Sequence, residues 1–298
     1  MKAGKSNSTV LERRNYKWCY LFLLPSLLIF LLFYLSPILT VIATSFTKWD
    51  GFNKPVFIGL KNYIDLFHSK TFLISLKNLL AWSMIAATLH VGFGVLMAFV
   101  LYAKPKGWKF TRVIFMVPNV ISAAAWAMIY KFIFNDDMGI LNNLIRRFSP
   151  DFHVQWFFQS PYAFWAVTCT WIFYAVIVTL VVLNDLMAVP EEVVEAARVD
   201  GASPWQLTRH IMLPLCRNAI GTGVICSITS RIAMYEQIRL TTAGGPGDDT
   251  MNIPLILVNS ISDMKYGYAN ANGMVMFALG LIILAAVNIT FRMNDSIY

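Results

Sequence analysis

Long apolar runs separated by short polar segments dominate the chain. A helix needs about 20 apolar residues to cross a hydrocarbon core. Windows of that length without Asp or Glu fall at six places, residues 20–43, 79–102, 113–134, 164–183, 215–234 and 273–291. Between them lie a long loop (44–78), a short basic turn (103–112), a middle loop (135–162), a charged segment (184–214) and a Gly-rich loop (235–272). The pattern predicts an all-α integral membrane protein with six transmembrane helices over residues 20–291, flanked by short tails at 1–19 and 292–298.

Composition agrees with this reading. Apolar residues make up 57% of the 298 and charged residues 13%, with a mean hydropathy of +0.59, whereas charged residues are about a quarter of a soluble domain. That much apolar surface also excludes a disordered chain. The net charge of +8 is read as topology and anionic-lipid contact, not nucleic-acid binding. Lys2, Lys5, Arg13, Arg14 and Lys17 precede the first run. That run is longer than a signal h-region of about 7–15 residues and no small-residue cleavage site follows, so it is expected to be a retained span. The basic N-tail and the turn holding Lys104, Lys106, Lys109 and Arg112 are assigned to the cytoplasm. By parity, 184–214 and the C-tail are cytoplasmic too, and the protein resides in the cell membrane with both termini inside.

Few side chains in the spans carry chemistry. Cys19, Cys169, Cys216 and Cys226 lack C-x-x-C spacing and read as small packing residues. Pro118-Asn119 marks either a kink that helps packing or the lining of a wet cavity. His90 reads as a hydrogen-bonded interior residue, not a proton relay, because no acidic partner lies in the spans. Arg231, with Glu236 and Arg239, reads as a long side chain reaching the headgroups. There is no G-x-x-x-x-G-K-[ST] loop, no H-E-x-x-H, no G-x-S-x-G elbow and no clustered His and Cys ligand set. The chain is therefore expected to have no catalytic residues, no metal and no cofactor of its own.

The charged segment 184–214 has a different signature. Pro190 suits a first helical position, Glu191 and Glu192 favour the positive dipole end, and Gly201 suits a left-handed cap. Ser203, Pro204 and Gln206 form an S-x-x-Q capping box that opens a second helix running to Pro214. Val193, Ala196 and Ala197 fall on one face, and Glu195 can pair with Arg198. Such a helix pair either folds against its own spans or offers a close-approach surface to another protein.

Glu195-Ala196-Ala197, three residues, Gly201, nine residues and Ile211-x-Leu213-Pro214 resembles the EAA loop of permease subunits of binding-protein-dependent ABC importers. Ser45-Phe46-Thr47, Gly59-Leu60-x-Asn62-Tyr63, Arg112 with Pro118, Trp126, Gly139 and Asn142, and Thr242-x-Gly244-Gly245-Pro246-Gly247 are similar to the carbohydrate branch that includes maltose and glycerol-3-phosphate permeases. Asn218 stands where proline is common after the loop, and Ala243 interrupts the T-x-G-G-P element. The resemblance implies a type I ABC importer permease fold whose EAA loop is the coupling helix. Glu195, Ala196, Ala197, Asp200, Gly201, Ile211, Leu213 and Pro214 would make or shape the ATPase contact. It implies a second homologous permease subunit, two copies of a cytoplasmic ABC ATPase that binds ATP and Mg, and an extracytoplasmic solute-binding protein docking at Gly244, Gly245, Pro246 and Gly247.

The cargo implied is a mono- or oligosaccharide or a related polyol. Sugars are held by aromatic faces and by amide or hydroxyl groups. Asn119, Trp126, Trp171 and Tyr174 are the candidates for the substrate path, with simple packing as the alternative for each. The rival reading is an ion-coupled secondary transporter, and a weaker one is a non-transporting receptor or scaffold. The absence of Asp and Glu from all six windows favours an ATP-driven partner.

Overall fold

The computed structural model describes residues 8–291 and is helical almost throughout. The long apolar elements are α1 (Trp18–Ser45), α3 (Lys70–Tyr102) and α14 (Tyr266–Phe291), with the short α2 (Lys61–His68) ahead of α3. Next come α4 (Trp108–Val120) and α5 (Ala123–Ile133), which meet at a bend of 107°. They are followed by α6 (Ile140–Arg146), α7 (Tyr162–Cys169), α8 (Val176–Ala188) and α9 (Glu191–Val199). A further bent pair, α10 (Pro204–Leu215) and α11 (Arg217–Ile232), turns by 67°. Before α14 lie α12 (Glu236–Thr241) and α13 (Ile253–Ser262).

Several expectations are corrected here. The helix that becomes α1 already begins at Ser8, ahead of its apolar stretch from Trp18; 1–7 and 292–298 lie outside the described residues. The second window starts too late, because Ser69 caps α3 by accepting from the Phe72 amide at 3.4 Å, and the polar first turns are not counted by an apolar window. The windows 113–134 and 164–183 are each broken in two. The loop 235–272 contains α12 and α13, and α14 starts at Tyr266, before the last window. Among the described residues, three helices are long and apolar enough to cross a membrane, or five if each bent pair counts once.

Small residues set the helix packing. A Cβ on Gly94 of α3 would lie 2.7 Å from Val178 Cβ of α8, and one on Gly223 of α11 would lie 3.0 Å from Val178 Cγ1. Thr179 Oγ1 donates to the Gly94 carbonyl at 3.0 Å across the same contact. Close backbone approach through glycine replaces the water-driven core that a bilayer cannot supply. The α3–α8–α11 contact continues into a buried cluster containing Leu79, Val182, Leu186, Val194, Ala197 and Met212. A second cluster is built on Trp82, Phe157, Val167, Trp171 and Ile238.

The segment after α1 is tied down by polar contacts. Thr47–Lys48 pairs antiparallel with Val56–Phe57. Asn62 Nδ2 donates to the carbonyls of Ser45 and Thr47 at 2.8 Å each, and Tyr63 OH donates to Ser45 Oγ at 2.8 Å. Asp50 caps the intervening turn, and hydrogen bonds from Asn53 and then the Phe52 amide hold its carboxyl below the usual carboxylate value. Gly267 of α14 sits so close that a Cβ would overlap the Thr47 carbonyl. The two sequence elements around Ser45 and Asn62 are thus one unit that anchors α1 to α14. Most of the rest of α1 is outward-facing and apolar, with Phe22 and Phe33 exposed.

Gly94→Leu is expected to lower the melting temperature of the detergent-purified protein, since forcing bulk into a packed contact costs about 1–3 kcal/mol. Gly92→Leu is the control, because nothing lies within 4 Å of a Cβ there. Equal melting temperatures for the two variants would contradict the packing described.

Candidate functional site

Two broken helices meet in the middle of the protein. The α4–α5 chain turns at Pro118-Asn119, where Ser122 restarts a helix by accepting from the Ala125 amide at 3.2 Å. The α7–α8 chain is non-helical from Thr170 to Ala175, which releases main-chain carbonyls that a helix would have satisfied. Away from water such groups need partners. Trp126 Nε1 donates to the Thr170 carbonyl, and His90 Nδ1 lies 3.1 Å from the Trp171 carbonyl and 3.0 Å from that of Ile172. A π-turn at Ala86–His90 within α3 sets His90 at this junction, a common use of such turns. The interior hydrogen-bonding reading of His90 holds.

The four aromatic and amide candidates come together here. Tyr174 OH donates to Asn119 Oδ1 at 2.7 Å, and the Trp126 and Tyr174 rings stand 5.9 Å apart. Trp171 is 1% exposed and meets His90 edge-on at 5.8 Å. A cleft of about 60 Å³ beside them is lined by His90, Tyr174, Ile177, Val178, Cys226, Ser227, Ser230 and Arg231. Arg231 does not reach outward for headgroups, as its sequence position had implied. Its guanidinium carbon lies 4.3 Å from the Trp171 ring centroid, a cation–π geometry. Single-span counting missed this because the break at 170–175 turns Trp171 toward α11.

At the other end of α8 the charged segment folds as a compact helix pair. Pro190 is the N-cap of α9, one position earlier than expected, with Glu191 and Glu192 in the first turn. The helix ends in a Schellman arrangement: Gly201 at φ +82°, its amide bonded to the Arg198 carbonyl at 3.1 Å, and the Ala202 amide bonded to that of Ala197 at 3.0 Å. The Ser203–Gln206 capping box is present in both directions. The expected apolar face is divided, however. Ala197, with Val194, is buried against the bundle, while Val193, Ala196 and Glu195 face outward and Val199 is 86% exposed. Among the described residues Glu195 makes no ion pair with Arg198. Gly201 and Asp200 are exposed, Ile211 and Leu213 half-buried against the spans, and Pro214 exposed in the bend. The helix pair therefore both folds on its own bundle and presents a free outer face.

The Thr242–Gly247 element is built inward. Gly244, at φ +92°, would place a Cβ 2.7 Å from Met251 Cε. Thr250 Oγ1 donates to the Gly245 carbonyl at 2.7 Å and lies 2.6 Å from Thr242 Oγ1. The peptide before Pro246 is cis. Gly247 reaches the surface, while Gly244 is structural packing and Gly245 and Pro246 are half-buried. A cluster not foreseen from sequence lies by α6: Asp136, Asp137 and His153 bring ligand atoms within 4.8 Å of one another. Buried Asn142 holds that region together by donating to the Asp136 and Val154 carbonyls.

A family model described as binding-protein-dependent transport system inner membrane component matches residues 90–297. A probable ABC transporter permease protein, YurN of Bacillus subtilis, is 32% identical over 89% of this chain and 92% of its own length. The trehalose/maltose transport system permease protein MalF of Thermococcus litoralis is 30% identical, over 91% of this chain and 92% of its own. The crystal structure of a bacterial alginate ABC transporter in complex with alginate pentasaccharide-bound periplasmic protein contains a chain with a TM-score of 0.81 at 22% identity, covering 94% of this chain and 95% of that one. The permease fold, the membrane location and the absence of an enzymatic centre follow together: this chain belongs to the family of inner membrane components of binding-protein-dependent transport systems.

Proposed function

We propose that this permease forms half of a translocation path for a carbohydrate, driven by ATP hydrolysis on partner subunits. The observation that carries the reading is the junction of two broken helices, where Tyr174, His90, Arg231 and two serines line a cleft, with Asn119 and Trp126 next to Tyr174 and Trp171 behind Arg231. Carbohydrate cargo is supported by a relative named as a trehalose/maltose permease and by the chemistry of Trp126, Tyr174 and Asn119, which offer the aromatic faces and hydrogen-bonding groups that sugars use. The cleft of about 60 Å³ is small beside the roughly 300–1,000 Å³ of small-molecule sites. A second wall is needed, and a second, homologous permease subunit would supply it.

In this proposal α7 and α8 together make one crossing, giving six, with the N-tail, the 184–214 segment and the C-tail in the cytoplasm. The outer face of α9, with Glu195, Ala196, Asp200 and Gly201, would seat in one of two ATPase copies. Ile211, Leu213 and Pro214 would transmit its movement through the α10–α11 bend. The surface near Gly247 would meet the solute-binding protein, a role supported by the periplasmic protein in the alginate transporter complex. Broken helices also occur in ion-coupled transporters, but the family and the absence of Asp and Glu in the six windows favour the ATP-driven reading.

Glu195→Lys places a like-sized opposite charge on an exposed helix face. In liposomes holding the assembled importer, it is expected to cut cargo-stimulated ATP hydrolysis and uptake by at least about tenfold, the effect of some 1.4 kcal/mol, with the complex still in the membrane. Uptake at the normal rate would contradict the coupling role. Tyr174→Phe removes one hydroxyl and keeps the ring. The expected result is a rise of about two- to tenfold in the KM for uptake, the range set by one hydrogen bond; unchanged kinetics would remove Tyr174 from the path.

A further inference from the structure

Arg231 stands in the last turn of α11, with one guanidinium face over Trp171 and Nη1 3.7 Å from the Met234 sulfur. Among the described residues no carboxylate lies within salt-bridge distance of it. Within the spanning helices the one acid among the described residues is Asp185 of α8, which acts on Cys216 at the start of α11, the opposite end of that helix from Arg231. The position is interior: His90 lines the same cleft and is about 18 Å along α3 from its end at Tyr102 at 1.5 Å per residue. A guanidinium held there without an anion is costly, and such residues mark cargo paths. Stacking on Trp171 offsets part of that cost, and Nη1 is engaged by the Met234 sulfur, a weak acceptor that a carboxylate would displace.

Two further groups are unsatisfied at this place. Ser227, 4% exposed, lines the cleft, and its Oγ is buried without a hydrogen-bond partner. Trp171 Nε1 is also buried and unpartnered, on the ring beneath the guanidinium and outside the cleft lining. An orphaned buried hydroxyl is rare in folded proteins; lining the cleft beside a lone cation, that of Ser227 is a donor ready for an acceptor. His90 is already committed to two carbonyls through Nδ1, which leaves the charge-matching role to Arg231.

We propose that the cargo carries a carboxylate, as in a uronic-acid-bearing oligosaccharide, and that Arg231 is the residue that selects it. The carboxylate matches a guanidinium edge in a bidentate fork, and one guanidinium balances one negative charge. A phosphate monoester, carrying about −1.5 to −2 at neutral pH, would leave charge uncompensated in the same cleft. The inference rests on the carbohydrate reading given above.

The test uses the complete importer with its binding protein in liposomes. The probes are matched pairs of labelled trisaccharides that differ only in a terminal C6 hydroxymethyl or carboxylate, presented singly and in competition. Wild type is expected to favour the acidic member of a pair by at least about tenfold. Arg231→Gln is expected to collapse that ratio to near unity, and Arg231→Lys, which keeps the charge without the fork, to give an intermediate ratio. Equal or neutral-favouring uptake by wild type would overturn the inference while leaving carbohydrate import intact, as would Arg231→Gln lowering both members of a pair equally. An assembled, ATP-hydrolysing complex that imports no trisaccharide of either kind would overturn the carbohydrate reading and this inference with it.

Discussion

Backbone carbonyls released inside a membrane must be given partners, and the middle of this protein is organised around that requirement. The interruption between α7 and α8 frees the carbonyls of Thr170, Trp171 and Ile172, and Trp126 and His90 supply the donors. Those two donors come from α5 and α3, so satisfying one break fixes the relative position of three elements. The second break, at Pro118-Asn119, is closed by Tyr174 through its bond to Asn119. Irregular backbone at membrane depth is tolerated where it is buried in protein or lines a cavity, and here it does both. Trp171 buries its ring and leaves its neighbours facing the cleft.

The rest of the architecture supports this junction. Gly94 and Gly223 let α3 and α11 close on Val178 of α8, which holds the break from one side. The cluster around Trp82, whose Nε1 donates to Thr168 Oγ1 at 3.0 Å and whose ring stacks on Phe164 at 5.0 Å, holds α7 from the other. The α9–α10 helix pair is joined to α8 by a single residue pair, Val189-Pro190, and its inward face, Val194 and Ala197, shares a core with Leu186 and Met212. A push on the outer face of α9 therefore bears on the same helix that carries the break. This continuity is the physical route by which events at the helix pair would reach the cleft.

Much of this was legible in the chain, for identifiable reasons. Local signals with a defined chemistry transferred well: the capping box at Ser203 and Gln206, the left-handed Gly201, and the Pro118-Asn119 turn each act through residues a few positions apart. Family membership was legible in the EAA spacing. Hydropathy windows gave the all-α class but not the helix ends, because caps such as Ser69 lie outside the apolar run and because apolar residues do not report a break such as 170–175. The orientation of Val194 and Ala197 toward the bundle was not legible, since Val193 and Val194 are equally apolar and tertiary packing decides between them. Arg231 was misread for the same reason: its partner Trp171 is sixty positions away, and the contact exists only because the chain is broken between them.

The central claim is that the junction of the two breaks lies on the translocation path, and cysteine labelling tests it most directly. Ser230 lines the cleft and is exposed in it. With Cys19, Cys169, Cys216 and Cys226 replaced by alanine, Ser230→Cys would be treated with a membrane-impermeant thiol reagent in liposomes containing the assembled importer. The account predicts labelling from opposite sides of the membrane in the nucleotide-free and ATP-trapped states. A cysteine at position 230 that stays unreactive from both sides in both states, in a complex that still imports cargo, would contradict it.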